Sequence, residues 1–401
     1  MRDGIPTDLL DRVAQQLPQL IRWRRDLHAH PETGVHNPRT QQAVLQALDG
    51  LDLEVAQGRT CSSVTATLRG SRPGPTILLR ADTDALPMTE DTGLDFASQT
   101  PGAAHACGHD MHTAMLLGAA TLLATDLREK VAGTVKFVFQ PGEEGCGGAE
   151  RMLDDGLLDE PADAAFALHV NPNLPSGVIA TKPGSFFASC DEFEITLTGR
   201  GGHASMPHTC NDPIPALLTL GTSLLSTVSR SFDPADPVLV SLGAVTAGTT
   251  TNVIPESGAL KGTLRAYTPA SRAQAWARIT RLAESTAEAH GLTCRITHSY
   301  GCAPTINTPD AAQRILHLAA DLLGPERSVE LSSPVMAAED FGYVLERVPG
   351  ALVLLGACPP GTSPTEAAPC HSNRMTLDEH AMITGTALHL AVALTGLHPR
   401  A

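Results

Sequence analysis

The segment 105–139, HACGHDMHTAMLLGAATLLATDLREKVAGTVKFVF, contains the pattern from which the fold follows. Its apolar periodicity predicts a helix over 110–126, and Thr134–Phe139 is a run of β-branched and aromatic residues that predicts a strand. Similar strand-like runs come before it, at Thr76–Ala81, and after it, at Ala164–Val170. Strands that alternate with helices are typical of an α/β domain, so we expect a mixed sheet covered by helices.

A second pattern occupies residues 188–300, where the predicted order is strand, helix, strand, strand, helix, strand. This is the ferredoxin-like α+β arrangement, a complete small domain that we interpret as an insertion into the α/β domain. Segments rich in glycine and proline, 172–184 and 301–309, fit the two crossings. The predicted domains are therefore the first part of the catalytic domain at 1–187, the inserted domain at 188–300, and the second part at 301–401.

The composition excludes several classes of partner. Among 401 residues, 28 Lys+Arg against 43 Asp+Glu give a net charge of −15, and no basic patch is visible, so neither nucleic acid nor an anionic membrane is an expected partner. The apolar runs are shorter than the ~20 residues of a membrane helix. The opening MRDGIPTDLL lacks the pattern of a secretory signal, and nine cysteines without paired spacing indicate reduced thiols or metal ligands, so we expect a cytoplasmic protein.

Polar clusters follow four of the predicted strands. They are Arg80–Asp84, which contains Asp82 and Asp84, the run His105–His112, the run Gln140–Glu144, and His169. Open α/β sheets bind ligands beyond the carboxyl ends of their strands, so we expect these clusters to converge. Taken singly, each cluster could be an ordinary surface or capping feature, but four at successive strand ends favour a functional site.

The residue types in these clusters favour a metal centre. A thiolate, imidazoles and carboxylates are ligands for a borderline divalent cation such as Zn²⁺ or Mn²⁺, and Cys107 and His109 are close enough to share one. The adjacent Glu143 and Glu144 diverge, so one can bind metal while the other moves protons, as metal-assisted hydrolysis requires. The sequence contains no G-x-S-x-G, no phosphate-binding loop and no H-E-x-x-H, so serine hydrolases, P-loop enzymes and zincins are disfavoured.

With these motifs, the chain resembles the two-metal aminoacylase and carboxypeptidase clan, and within it the family of hippurate hydrolases, N-acyl-amino-acid amidohydrolases and auxin-conjugate amidohydrolases. The resemblance covers nearly the whole chain. The matching motifs are Arg24–His28 with Pro31–Glu32, Arg80–Pro87, His105–Asp110, Gln140–Gly145, His169, Gly201–Ser205, Thr251–Pro255, Gly262–Arg265, Glu339–Phe341 and His371.

The resemblance implies two divalent ions per subunit, Zn²⁺ or Mn²⁺, with Co²⁺ and Ni²⁺ as alternatives. The implied ligands are Cys107, His109, Glu144, His169 and His371, with the Cys107 thiolate bridging the ions. Glu143 matches the catalytic acid/base. Asp84 matches the acid that supports the ligands, and Asp82, which stands where many clan members outside this family have a ligand histidine, is assigned a supporting role.

The same resemblance gives the inserted domain the role of a lid and dimerisation domain, so a homodimer or higher homo-oligomer is expected. His203 matches a histidine that stabilises the oxyanion, often across the dimer. Asn252 and Arg265 match residues that bind the substrate, and the expected target is its carboxylate. The expected reaction is hydrolysis of N-acyl amino acids, or related N-acyl and aryl amides, to a carboxylic acid and a free amino acid. The alternatives are a dipeptidase or carboxypeptidase of the same clan and, more remotely, a non-catalytic ligand-binding descendant, which the retained Glu143 disfavours.

Overall fold

A computed structural model describes residues 4–228 and 230–397. The described residues form nine α-helices, α1 to α9: Leu9–Ala29, Pro38–Leu48, His109–Thr125, Gly148–Asp154, Pro213–Val228, Pro269–Ala289, Pro309–Leu323, Gly342–Leu345 and Ala381–Thr395. They also form sixteen strands, β1 to β16: Glu54–Gln57, Val64–Arg69, Arg72–Asp82, Ala132–Gln140, Ala164–Asn171, Ile179–Thr181, Gly184–Phe187, Cys190–Thr198, Gly202–His203, Val238–Ala247, Val253–Ile254, Ser257–Ala266, Thr293–Cys302, Thr305–Asn307, Ser328–Glu330 and Gly350–Gly356.

The chain divides into two compact units. The first contains the residues up to Gly184, then Ile306–Ser333 and the residues from Tyr343 onward, and the second contains Ser185–Thr305 and Pro334–Gly342. The predicted inserted domain, 188–300, lies within the second unit.

The first unit is built on an eight-stranded mixed sheet. Its strand order is β1-β2-β4-β3-β5-β16-β6-β15, with β3 parallel to both β4 and β5 and β2 antiparallel to β4. Helix α3 packs against α1, α9 and β3, and its residues are buried on nearly every side. A helix that is apolar all round belongs in the core, and here its first turn begins at the carboxyl ends of the central strands. The prediction of a helix-covered mixed sheet is confirmed.

The second unit has the predicted ferredoxin-like topology. Its sheet has the order β10-β12-β8-β13, every neighbouring pair is antiparallel, and α5 and α6 pack on it. The unit has its own apolar core. The short segment 334–342 joins this unit because Val335 pairs by its backbone with Phe187, a contact that no local sequence pattern predicts.

One predicted helix is wrong in length. The sequence pattern predicts a helix over 339–347, but α8 begins at Gly342 and ends at Leu345. The Glu339 carboxylate accepts a hydrogen bond from the backbone N–H of Phe341 (3.0 Å), which stabilises a turn before the helix. Among the residues described, no helix is both long enough and apolar enough to cross a bilayer.

Candidate metal centre and active site

The polar clusters of the first unit converge because of the strand order. Strand β3 ends at Asp82, and β4, which lies beside it, ends at Gln140. Strand β5 lies on the other side of β3, and His169 is two residues before its end. Since these three strands are parallel, their carboxyl ends meet at one edge of the sheet. The segments that follow the strands therefore carry the candidate ligands to the same place.

The structure brings all five predicted ligands together around two centres. Ligand atoms of Cys107, His109 and His169 lie within 4.8 Å of one another, and so do those of Cys107, Glu144 and His371. Cys107 belongs to both groups. The two groups of possible ligand atoms therefore overlap at one thiol.

Backbone carbonyls orient two of the histidine rings. His109 Nδ1 lies 2.8 Å from the carbonyl oxygen of Asp84, and His169 Nδ1 lies 2.7 Å from that of Val170. A donor at Nδ1 directs Nε2 of each ring toward the centre, where His169 Nε2 lies 3.4 Å from Cys107 Sγ. His109 Nε2 is buried without a hydrogen-bond partner, and a cation would satisfy this atom. The donor set therefore fits a metal centre.

Asp84 fixes the two adjacent glutamates. Its Oδ1 accepts the backbone N–H of Glu143 (3.0 Å) and its Oδ2 accepts that of Glu144 (3.1 Å). Glu144 thereby joins the group with Cys107, while the buried Glu143 carboxylate lies within 4.8 Å of ligand atoms of His109 and Glu144. One glutamate can bind metal and its neighbour can accept a proton beside it.

Asp82 is fully buried and contacts basic side chains on three sides. It accepts hydrogen bonds from Arg80 Nη1 (2.7 Å) and His112 Nδ1 (2.5 Å), and His109 Nε2 lies 3.6 Å away. Burial alone would raise the pKa of Asp82, but His109, His112 and Arg80 hold that pKa well below its usual value. The other ring nitrogen of His112 accepts the backbone N–H of Val170 (2.8 Å), so His112 connects the ends of β3 and β5.

Two unusual backbone positions allow the ligands to approach. Gly108 has φ 90°, and a Cβ there would lie 2.3 Å from Val170 Cγ2, so only glycine fits between Cys107 and His109. His371 is the one non-glycine residue with positive φ (69°) among the residues that the structure describes. A left-handed conformation costs about 1–2 kcal/mol, and the hydrogen bond from His371 N–H to the Ala106 carbonyl (2.7 Å) offsets part of that cost.

The charges at the centre attract a cation. Burial alone would lower the pKa of His109, but Asp82 and the other nearby carboxylates raise it well above its usual value. Burial raises the pKa of Glu144, yet the hydrogen bond with His371 and the charge of His109 outweigh it and the pKa is lowered. A divalent cation would replace the imidazolium proton as the partner of these carboxylates, so its binding releases protons.

Sequence reasoning assigned no role to Cys370, which the structure places beside Cys107. The hydrogen bond between Cys107 and Cys370, followed by burial, raises the pKa of Cys107. The same hydrogen bond, with the nearby imidazoles, lowers the pKa of Cys370 to about 6. The position of Cys370 next to His371 was the only sequence signal for this contact.

The remaining predicted site residues lie in the second unit. His203 is exposed on β9, and its Nδ1 accepts the backbone N–H of Ser205 (3.1 Å). In the neutral ring the proton is therefore on Nε2, which is free to donate to a ligand. Asn252 is exposed, and the half-buried Arg265 on β12 donates from Nη1 to the Met336 carbonyl (3.4 Å).

Comparison with known proteins identifies the family to which the chain belongs. The family model of peptidase family M20/M25/M40 matches residues 78–395, and the chain belongs to this family of hydrolases. It is similar to thermostable carboxypeptidase 1 of Saccharolobus solfataricus, with 33% identity over 96% of this chain and 98% of the relative. It is also similar to the N-acetyldiaminopimelate deacetylase of Streptococcus sanguinis, with 38% identity over 90% of this chain and 93% of the relative.

Solved structures support the same assignment. A dinuclear metal binding peptidase of the M20 family from Bacillus subtilis superposes with a TM-score of 0.80 at 32% identity, covering 96% of this chain and 99% of the other. The resemblance to the aminoacylase and carboxypeptidase clan is thereby confirmed, as is the prediction of a catalytic domain with an inserted second domain.

Proposed function

We propose that the chain hydrolyses the amide bond of N-acyl amino acids to a carboxylic acid and a free amino acid, using two divalent cations per subunit. The observation that carries the proposal is the shared position of Cys107 in two ligand groups beside the buried Glu143. Deacetylases among the relatives act on amides of this kind, as the name of the Streptococcus sanguinis enzyme states. Zn²⁺ or Mn²⁺ is the proposed ion, with Co²⁺ and Ni²⁺ as alternatives, because a mixed N, O and S set accepts each of them.

When bound, the cations polarise the amide carbonyl and lower the pKa of water toward ~7. Glu143 accepts the proton of the attacking water and returns it to the leaving amine. Its position depends on Asp84, whose carboxylate accepts the backbone N–H groups of Glu143 and Glu144 and so holds the loop that carries both side chains. Asp82 supports the proposed ligand His109 by direct contact, and it also contacts the neighbouring His112.

Substrate binding is assigned to Asn252 and Arg265. A guanidinium forms two parallel N–H bonds with a carboxylate, so Arg265 suits the carboxylate of an amino-acid product. Arg265 lies on a regular strand and is half-buried, and a side chain held in this way loses less conformational entropy when it binds.

A homodimer is proposed through the second unit. Apolar side chains are exposed on helix α5 and on β10, the edge strand of its sheet: Leu218 (64% exposed), Leu225, Leu239 and Val245. An unpaired strand edge beside exposed leucines is a surface that a second copy can cover.

A cytoplasmic location is supported by the nine free thiols, because disulfides are rare in the cytoplasm. Cell fractionation would check this location.

His203 is proposed to donate from Nε2 to the oxyanion of a partner subunit's site. We expect His203→Ala to lower kcat by about 10²–10³-fold, because one oxyanion donor is lost, whereas His208→Ala, at an exposed neighbour, should have little effect. Mixing His203→Ala with Glu143→Gln chains should restore about a quarter of the wild-type activity, since half of the dimers would contain one intact site. Mixtures no more active than their components would contradict action across a dimer.

A substrate panel tests the reaction itself. The chain should be stripped of metal, reconstituted with Zn²⁺ or Mn²⁺, and assayed with N-acetyl, N-benzoyl and long-chain N-acyl amino acids and with dipeptides. We expect hydrolysis of at least one N-acyl series to depend on the added metal and to exceed hydrolysis of the dipeptides. Faster cleavage of dipeptides would favour the peptidase alternative, which the similarity to a carboxypeptidase supports.

A further inference from the structure

The bridging thiol lies on a long irregular segment. Residues 83–108 connect the end of β3 to the start of α3 and contain only isolated β-bridges, yet they carry Cys107 close to their end. Irregular loops of this length are uncommon in compact domains, and ordering one costs conformational entropy. Contacts outside the metal centre must therefore hold this segment, which we call the ligand loop.

His28 on α1 provides buried contacts of this kind. Its Nδ1 lies 2.9 Å from Asp110 Oδ2, and its Nε2 lies 3.2 Å from Glu90 Oε1. The side chains of His28 and Asp110 are 3% and 0% exposed, and that of Glu90 is 6% exposed. Two carboxylates can both accept from one ring only if each nitrogen carries a proton, so His28 is an imidazolium.

The surroundings stabilise this charge. Burial would lower the pKa of His28, but Asp110 and Glu90 outweigh it and raise the pKa to about 9. Arg24 Nε also contacts Asp110 (3.1 Å) and its Nη1 contacts Glu379 (3.1 Å), so buried positive and negative groups are matched. A paired buried charge of this kind is costly to break, because the partner is left uncompensated.

The His28 contacts reach both the ligand loop and the helix that follows it. Asp110 follows the candidate ligand His109 in the first turn of α3. Glu90 lies within the loop, where its other carboxylate oxygen accepts the backbone N–H of Ser98 (2.7 Å), and the ring of Phe96 packs edge-on against His28 at 5.2 Å. His28 thus connects α1 to the loop and to the ligand-bearing helix at once.

We infer that His28 is a positioning residue for the metal centre: by bridging Asp110 and Glu90 it holds Cys107 and His109 in the arrangement that binds a cation. This inference rests on the proposed function only for the identity of the metal ligands. His28 is in no group of metal-ligating atoms found among the described residues, so its effect is transmitted through the ligand loop and the first turn of α3.

The test compares His28→Gln with His30→Gln, at a partly exposed histidine of the same segment whose Nδ1 contacts the Asp26 carbonyl. Zn²⁺ affinity is measured by chelator competition, and backbone hydrogen exchange of residues 86–106 is measured in the metal-free protein. We expect His28→Gln to weaken Zn²⁺ binding by about 10–100-fold and to speed exchange in the loop, with kcat at saturating Zn²⁺ changed by less than about threefold. His30→Gln should match the wild type in both measurements.

A folded His28→Gln variant that binds Zn²⁺ within about twofold of the wild type would overturn the inference. If His28→Gln does not fold, the same measurements are made on Glu90→Gln. This variant weakens the contact between His28 and residue 90 and leaves the contact of His28 with Asp110 in place. Glu90→Gln should then weaken Zn²⁺ binding in the same direction, and unchanged affinity would overturn the inference. A wild-type chain that binds two Zn²⁺ ions but cleaves no amide would refute the proposed function without touching this result.

Discussion

Replacing Glu143 by glutamine is expected to lower kcat by about 10²–10⁴-fold while the chain still binds two cations. Glutamine has nearly the same shape but cannot accept a proton, so the attacking water would lose its base and the leaving amine its acid. The backbone N–H of residue 143 would still donate to Asp84, because this contact does not involve the side chain. The loop that carries Glu144 should therefore keep its conformation.

Steady-state kinetics and metal analysis of the same preparation check this prediction. Glu150→Gln is a matched control, since Glu150 is an exposed glutamate in the first turn of α4, just beyond the same loop. The control should retain wild-type kcat. A Glu143→Gln enzyme with two bound ions and nearly normal turnover would show that another group moves the proton.

The central fold was predictable because its signals are local. The apolar strands around residues 76–82 and 132–140 and the helix at 109–125 each have a composition that predicts their structure, and their alternation predicts the layers. The short strands Glu54–Gln57 and Ile179–Thr181 escaped prediction, because a run of three or four residues has too little periodicity and depends on a neighbouring strand for its hydrogen bonds.

The convergence of the candidate site residues was predictable in part from the same local signals. Motif residues such as Cys107 and His109 share one short run, and parallel strand ends explain why distant ligands such as His169 join them. The contacts of Cys370 with Cys107, and of His28 with Glu90, could not be predicted from pattern, because each pairs residues that are far apart in sequence and only the tertiary fold brings them together.

Cys107→Ser is expected to abolish tight binding of both cations, whereas His371→Ala should mainly weaken one. Cys107 belongs to both ligand groups, so its loss removes a ligand from each centre. His371 belongs to only one of them, the group that also contains Glu144. A serine hydroxyl stays protonated near neutral pH and is a poor substitute for a thiolate, which binds Zn²⁺ strongly and bridges readily.

Metal content after exhaustive dialysis, measured by elemental analysis, separates these outcomes. The wild type should retain two ions, His371→Ala about one and Cys107→Ser fewer than one, and activity should fall in the same order. Cys61→Ser, at another buried thiol that joins no candidate metal group among the described residues, should behave as the wild type. Retention of two ions by Cys107→Ser would mean that the Cys107 thiolate does not bridge the two cations. Each cation would then have to be held by ligands other than Cys107.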